Sequence, residues 1–342
     1  MSRRISALVP AALAAAMALG APAHAATELK LGTFGPPQSF FYVEVVVPWL
    51  NAVNKDAGGA VAIKHYGNSV LGTAGTMYDS VMSGAADIGW ALPHTAPGKF
   101  VKSTIIELPF GYDKGEHGAV AFWRLYAKGL IASDFEGVKL FGLTAWPAAA
   151  IQTKSAKIAK LEDLKGLKLR VAGKLQADTV LALGGTPVQV PVDQIFQAID
   201  KGVIDGAWAS ATATVQFRLH EVTKNFLDVP LNGAGGMLVM SQANFAKLPA
   251  QARAAFDKQS GEATSRALGR SNDGEVVRVM GILAALGKRG KGNTVYTLPA
   301  AETERWKKVA EPVIAAWAQR TPNGAAILKA FRDEVAALRQ GS

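Results

Sequence analysis

The 342-residue sequence contains no cysteine. Disulfide bonds and thiolate metal sites are therefore excluded together, and the fold must be stable through its hydrophobic core. Histidine is scarce: the five histidines are scattered, and no two have the spacing of metal ligands. The Gly-x-Ser-x-Gly elbow and the glycine-rich phosphate loop are missing as well. These absences argue against the familiar metal-dependent, nucleophilic and nucleotide-binding enzymes, and no cofactor is expected.

The first 25 residues have the pattern of an export signal. Two arginines precede an apolar run from Ile5 to Leu19, and Ala23-His24-Ala25 places small residues before a cleavage site. A retained membrane anchor is the alternative, but an apolar run of this length is short for spanning a bilayer. We therefore predict a signal peptide over 1–25 and a mature protein that is located in the periplasm.

The chain is basic, with 37 lysines and arginines against 27 acidic residues and a net charge of +10. The basic residues are spread along the sequence, and no arginine-rich or aromatic-interleaved tract occurs, so we predict no nucleic-acid partner. The densest group is Lys288, Arg289 and Lys291, set among glycines. It indicates a solvated loop, with an anion contact as the alternative.

Strands and helices alternate between Leu161 and Trp208. The periodicity predicts strands at 167–171, 187–191 and 203–208, with a helix of about ten residues after the first and a helix at 193–201 after the second. This order is typical of a parallel sheet with right-handed crossovers. Ligands of such sheets bind beyond the carboxyl ends of the strands.

The rest of the chain has the same α/β character. Strands are predicted at 28–32, 60–66, 84–90, 138–144 and 233–240, and helices at 40–53, 77–83, 116–126, 212–226, 248–286, 301–319 and 324–338. The long helices near the carboxyl terminus are expected to cover the sheets, and one of them could extend across two domains.

Arg170 interrupts an otherwise apolar predicted strand. A buried arginine is costly unless it meets a carboxylate or a phosphate, and its planar guanidinium suits a carboxylate. The alternative is an arginine on a solvated face, because Lys168 and Arg170 alternate with apolar neighbours. Trp90, Trp146 and Trp208 each lie at or just after the end of a predicted strand, where a pocket wall would be, and a position in the core is the alternative for each of them.

Two further residues complete the set of predicted ligand contacts. Phe34 lies in the loop that ends the first predicted strand, and Ser210 follows Trp208 by two residues. The acidic residues offer no comparable site, because Glu107, Asp113, Glu116 and Asp205 form no pair that spacing supports as general acid and base. The sequence therefore predicts a binding site without a catalytic group.

Several short motifs resemble the extracytoplasmic solute-binding subunits of TRAP transporters. They are, in chain order, GAADIG at 84–89, ELPF at 107–110, LKGLKLRV at 164–171, LGGTPV at 183–188, AIDKGVIDG at 198–206 and KLP at 247–249. Each motif alone is weak, but together they cover essentially the whole mature chain in the same order as in that family.

The resemblance implies two α/β domains that close on a ligand like a hinged clamp, with a long helix shared between them and no catalysis. The expected first domain comprises 26–147 and 236–275, and the second comprises 148–235 and 276–342. The resemblance also implies that Arg170 forms a salt bridge with the carboxylate of an organic acid. The closed protein, expected to be a monomer, would deliver this ligand to a sodium-driven TRAP-type permease in the membrane.

Two departures from the family pattern bear on the ligand. Sialic-acid-binding members carry a second arginine upstream of the first, where this chain has Ala148-Ala149-Ala150. Many members follow the Asp-Gly turn with a polar run, where this chain has Ala207-Trp208-Ala209-Ser210. A pocket with one arginine and a tryptophan should prefer a monocarboxylate with an apolar body, either aromatic or a branched 2-oxo acid.

Two alternatives remain open at this stage. An exported α/β enzyme that acts on a small carboxylate would need a nucleophile and a base within hydrogen-bond reach in the cleft. A solute-binding protein that serves a sensor or a different transporter would have the same sequence features as a transport subunit.

Overall fold

The computed structural model describes residues 26–147, 149–231, 233–290 and 293–341, and the predicted signal peptide lies outside them. The strands are β1 (Thr27–Gly32), β2 (Val61–Tyr66), β3 (Ile88–Ala91), β4 (Val138–Ala145), β5 (Ala149–Thr153), β6 (Lys168–Val171), β7 (Thr186–Gln189), β8 (Gly206–Ser210), β9 (Asn225–Leu231), β10 (Gly235–Ser241) and β11 (Thr294–Thr297). They form two separate sheets.

Helices surround both sheets. They are α1 (Val47–Asp56), α2 (Met77–Ser83), α3 (Gly115–Ala127), α4 (Lys174–Ala182), α5 (Ile195–Asp200), α6 (Ala211–Gln216), α7 (Gln242–Lys247), α8 (Ala250–Lys258), α9 (Glu262–Lys288), α10 (Ala300–Arg320) and α11 (Gly324–Gln340). Within the described ranges, no helix combines the length and the apolar character needed to cross a membrane.

The first sheet has five strands in the order β2-β1-β3-β10-β4. Strands β1, β2 and β3 are parallel to one another, whereas β10 is antiparallel to both of its neighbours. Apolar side chains cover the two faces of this sheet. One face packs against α1 and α8 through residues such as Trp49 and Phe256, and the other packs against α3 through residues such as Phe122.

The second sheet has six strands in the order β11-β9-β5-β8-β6-β7. Strands β6, β7 and β8 are parallel, as the βαβαβ pattern predicts, while β5 is antiparallel to β8 and β9. The observed fold is therefore mixed α/β with two sheets, and the fold class expected from the sequence is confirmed.

The chain passes between the sheets several times. It crosses from β4 to β5 and returns from β9 to β10, and these two crossings are joined by backbone hydrogen bonds between Trp146 and residues 233–234. Helix α9 connects the sheets a third time. Its Leu268 packs in the core of the first sheet, whereas Val279 and Leu283 pack with Ala150 and Phe226 of the second. The long helix shared by both halves is thus present.

The division of the chain into two domains at the expected residues stays a prediction. Helix α11, which the expected division places in the second domain, contributes Ile327, Phe331 and Val335 to the same hydrophobic cluster as α3. This packing favours grouping α11 with the first sheet.

Two sequence predictions for the local structure are wrong. The segment 248–286 was expected to form one helix, but it divides into α8 and α9, with Gly261 at a positive φ of 103° between them. The segment 212–226 was expected to form one helix, but α6 ends at Gln216, a short 3-10 turn follows at Leu219–Glu221, and β9 begins at Asn225. Arg218, between the two helical pieces, has a positive φ of 57°. A left-handed residue at this position ends the helix and redirects the chain into the sheet.

Helix α9 crosses α3 at a position where both backbones require glycine. A Cβ at Gly269 would lie 2.5 Å from the carbonyl oxygen of Gly115 and 2.7 Å from the Cα of Glu116. We expect Gly269→Ala to lower the free energy of unfolding by about 1–3 kcal/mol, because the helices must separate to admit the methyl group. Chemical denaturation of the purified protein measures this loss.

Gly274 on the same helix is a matched control. It is exposed, and beyond its chain neighbours and the nearby backbone of its own helix no heavy atom of the described residues lies within 4 Å of a Cβ placed there. Gly274→Ala should therefore stabilise the protein by up to about 1 kcal/mol through helix propensity alone. Equal effects of the two substitutions would contradict the close packing of α3 and α9.

Candidate ligand-binding site

A cavity lies between the two sheets. Its walls come from the loop after β1, from the end of β3, from the two crossing segments, and from β6, β8 and α6. Most lining side chains are apolar, among them Leu92, Trp146, Val192, Ala213 and Phe217. A mostly apolar cavity with a few polar groups is typical of a site for a small organic ligand.

Arg170, near the carboxyl end of β6, is the main charged group in the wall. Its side chain is buried, and two hydrogen bonds fix it: Nε donates to the carbonyl of Val190 at 2.8 Å, and Nη1 donates to the carbonyl of Trp208 at 3.0 Å. Among the described residues, Nη2 has no hydrogen-bond acceptor. The guanidinium is therefore held in place with its outer edge available to an anion.

Burial lowers the pKa of Arg170 to about 10, and the carboxylates of Glu107 and Asp193 oppose this effect from a distance. The guanidinium consequently stays charged at neutral pH. A buried cation whose hydrogen bonds go to neutral carbonyls is well suited to an anionic ligand, because little of its charge is already neutralised by direct contact.

The three predicted tryptophans occupy different places. The Trp146 ring lines the cavity and meets Trp90 edge to face, with ring centroids 6.0 Å apart. Trp90 lines the neighbouring outer cleft and packs against Phe41 at 4.4 Å. Trp208 borders the cavity, but its side chain is fully buried in the core of the second sheet, and its carbonyl is what holds Arg170.

The two other predicted contacts also border the cavity. Phe34 comes from the first sheet, and Ser210 comes from the second, where its hydroxyl caps the amino terminus of α6 by accepting a hydrogen bond from the amide of Ala213. The two walls meet here, since a Cβ at Gly35 would lie 2.3 Å from Nε2 of Gln216. The structure thus brings Phe34, Trp146, Arg170, Trp208 and Ser210 to one cavity.

Three polar residues near the cavity were not predicted as ligand contacts. His94 follows β3 in a short 3-10 turn, and Gln176 lies in the first turn of α4, where its Oε1 accepts a hydrogen bond from the amide of Ala172 at 2.8 Å. Glu107 ends a 3-10 helix behind the wall. Only His94 had a signal in the sequence that could have indicated a ligand contact. It follows Trp90, the last residue of a predicted strand, by four residues.

The loop after β1 is anchored by His65 of β2. Its Nε2 lies 2.7 Å from Oγ1 of Thr33, and its ring stacks on Tyr42 with centroids 3.8 Å apart. Burial lowers the pKa of His65 to about 4. Because the folded state favours the neutral ring, its contribution to stability is complete above the unfolded value of about 6.5 and is lost as the pH falls towards about 4.

We expect acid to destabilise the native protein partly through His65. Lowering the pH from about 7 to about 4.5 should cost about 1–2 kcal/mol at this residue, a value reduced for its half-exposed environment. The His65→Phe variant retains a ring for stacking but cannot be protonated, so its Tm should fall less steeply over this range than that of the native protein. Parallel Tm-against-pH curves would contradict this role.

The fold and the cavity together define a class of protein. Two α/β sheets connected by crossing segments and a shared helix, with a cavity and a buried arginine between them, are the features of a two-lobed solute-binding protein. The chain belongs to the bacterial extracellular solute-binding proteins of family 7, whose family model matches residues 31–321. It is a TRAP solute-binding protein, and as a member of this family it acts in the periplasm.

Solved structures and sequence relatives agree with this assignment. A TRAP solute-binding protein from Rhodoferax ferrireducens T118, in complex with copurified benzoate, is 30% identical, covers 92% of this chain and 99% of its own, and superposes with a TM-score of 0.86. A marine metagenome TRAP solute-binding protein specific for aromatic acid ligands, in complex with 3-hydroxybenzoate, is 27% identical with coverages of 91% and 98% and a TM-score of 0.85.

Among sequence relatives, the C4-dicarboxylate-binding periplasmic protein DctP of Rhodobacter capsulatus is 23% identical over 343 residues. The match covers 94% of this chain and 95% of that protein. The family is one of receptors for solutes and not a family of enzymes. TRAP solute-binding proteins bind small organic acids and work with a membrane permease.

Proposed function

We propose that this protein binds an aromatic monocarboxylate between its two sheets, holds the carboxylate with Arg170, and delivers the ligand to its permease. The observation that carries this proposal is the buried Arg170, which two carbonyls fix at the wall of a mostly apolar cavity. The carboxylate would accept hydrogen bonds from the outer edge of the guanidinium, and the apolar body of the ligand would contact Leu92, Trp146 and Phe217.

The composition of the wall supports one carboxylate over two. Among the described lining residues, Arg170 is the only lysine or arginine. A second carboxylate would therefore have to be desolvated without a cation to pair with it, at a cost of several kcal/mol. The benzoate and 3-hydroxybenzoate complexes of the two similar structures support an aromatic ligand. A branched 2-oxo acid also carries a single carboxylate, so it is included among the ligands to be tested.

The position of the cavity supports a function in transport. A ligand between the sheets contacts both, so it binds the closed arrangement better than an open one and shifts the population towards closure. We propose that the closed monomer is the form that the permease recognises. We also propose that the protein leaves its ligand chemically unchanged.

A thermal-shift titration tests the proposed ligand class. The purified protein, freed of copurified ligand by dialysis in denaturant and refolding, is titrated with benzoate, 4-methyl-2-oxopentanoate, succinate and galacturonate. A ligand that binds only the folded state raises Tm by mass action. We expect benzoate to raise Tm by several degrees and succinate to have little effect. Stabilisation by succinate or galacturonate without stabilisation by benzoate would refute the aromatic class.

The same samples address the enzyme alternative. Proton NMR of benzoate after prolonged incubation with the protein should show the unchanged acid. Conversion that depends on the protein would instead favour an exported enzyme that acts on a small carboxylate.

A further inference from the structure

A buried histidine-carboxylate pair lies beside Arg170. The Nδ1 atom of His94 is 3.4 Å from Oε1 of Glu107, and both side chains are almost completely buried. Neither atom has a hydrogen-bond partner among the described residues.

Arg170 and His94 are neighbours in that wall. Together with Leu92, Ala172 and Val192, they border both this cavity and a second cavity beside it. These shared residues therefore form the partition between the two cavities. The negative charge of Glu107 favours the charged form of Arg170, so Glu107 also lies close to Arg170.

The contact with Glu107 favours one tautomer of His94. A carboxylate oxygen is an acceptor, and it lies 3.4 Å from Nδ1, so the neutral ring with its proton on Nδ1 is the tautomer that suits this contact. In the neutral ring, the other nitrogen, Nε2, then has a lone pair and accepts a hydrogen bond. An acceptor at this position repels a carboxylate but suits a hydroxyl group.

We propose that Nε2 of His94 accepts a hydrogen bond from a hydroxyl group of the ligand, so that the preferred ligand is a hydroxylated aromatic acid. This inference rests on the proposed function, because it assumes that Arg170 holds the carboxylate. Glu107 is the positioning residue: it fixes the protonated nitrogen of His94 without contacting the ligand. The two polar contacts then determine the orientation of the ring in the cavity.

A ligand series measured on the native protein tests the preference. Isothermal titration is carried out with benzoate, with the 2-, 3- and 4-hydroxybenzoates, with mandelate and with the methoxybenzoates. We expect at least one hydroxylated acid to bind about tenfold or more tightly than benzoate, the effect of one good hydrogen bond. Its methoxy counterpart, which keeps the oxygen but has no proton to donate, should lose this advantage.

Two substitutions of His94 test whether this residue causes the preference for a hydroxylated acid. His94→Phe keeps a ring of similar size but has no acceptor, so benzoate and the preferred hydroxylated acid should bind it equally. In His94→Gln, the side-chain carbonyl can take the place of Nε2 and should restore part of the preference. A hydroxyl preference that persists unchanged in His94→Phe would overturn the role of His94.

The failures of the two proposals can be distinguished. If benzoate binds in an Arg170-dependent way but no hydroxylated acid binds more tightly, the function holds and the role of His94 is refuted. If no aromatic acid binds, the proposed ligand class itself fails. The native series needs no variant to fold, so it refutes or supports the proposal by itself.

Discussion

Arg170→Ala is expected to weaken benzoate binding by about 10²–10³-fold. Truncating one member of a buried, hydrogen-bonded charge pair costs about 2–5 kcal/mol, because the other charge is left buried without a partner. In this protein the loss of affinity should be reinforced, because the carboxylates of Glu107 and Asp193 interact electrostatically with the position of the guanidinium. Without the guanidinium they would repel a ligand carboxylate. Isothermal titration of the variant with benzoate measures the loss.

Arg170→Lys tests whether geometry matters in addition to charge. An ammonium group cannot donate to the carbonyls of Val190 and Trp208 and at the same time present a planar pair of donors to a carboxylate. We expect affinity to fall by about tenfold or more relative to the native protein. Arg305→Ala, which removes an exposed arginine paired with Glu162, is the control and should leave the affinity unchanged.

Circular dichroism and a thermal melt establish that each Arg170 variant is folded before its affinity is compared. A folded Arg170→Ala protein that binds benzoate as well as the native protein would remove Arg170 from the site.

Much of the fold could be predicted from periodicity. Helix α2 has the predicted bounds, and β6, α4, β7, α5 and β8 occur in the predicted order. These elements are regular stretches in which the apolar pattern and the local propensities agree. The position of Arg170 could be found in the same way, because a charged residue in an apolar strand contrasts with its neighbours.

The errors concern features that depend on tertiary contacts. Strand β5 begins in a run of alanines and was not predicted, and β9 begins at the last two residues of a predicted helix, because neither segment has a clear period of its own. Both become strands by pairing with each other in the second sheet. Composition alone does not reveal such pairing, since strand propensity depends strongly on the neighbours that a strand meets.

The pair formed by His94 and Glu107 illustrates the limit for the site. Thirteen positions separate the two residues along the chain (107 − 94 = 13), and only the fold places Nδ1 and Oε1 3.4 Å apart. No spacing rule connects a histidine in one 3-10 turn to a carboxylate at the end of another. The sequence therefore predicted the anchor of the site but not its second polar group.

The Trp208→Ala substitution is expected to lower the free energy of unfolding by about 3–5 kcal/mol. The indole is fully buried and packs in one hydrophobic cluster with Ile151, Leu169, Leu227 and Trp306. Its removal leaves a cavity that the rigid sheet cannot fill. Urea denaturation followed by circular dichroism measures the change, and Trp306→Ala, in the same cluster, should cost a similar amount.

Trp208→Phe separates the contribution of Trp208 to packing in the core from its contribution to ligand binding. The variant keeps an aromatic ring in the core and the backbone carbonyl that accepts a hydrogen bond from Nη1 of Arg170. If Trp208 acts on the ligand through this carbonyl, the variant should lose some stability but keep its affinity for benzoate. A loss of affinity comparable to that of Arg170→Ala, in a folded protein, would instead show that the indole itself contacts the ligand. Because the carbonyl cannot be removed by substitution, this comparison is the direct way to assign the role of Trp208.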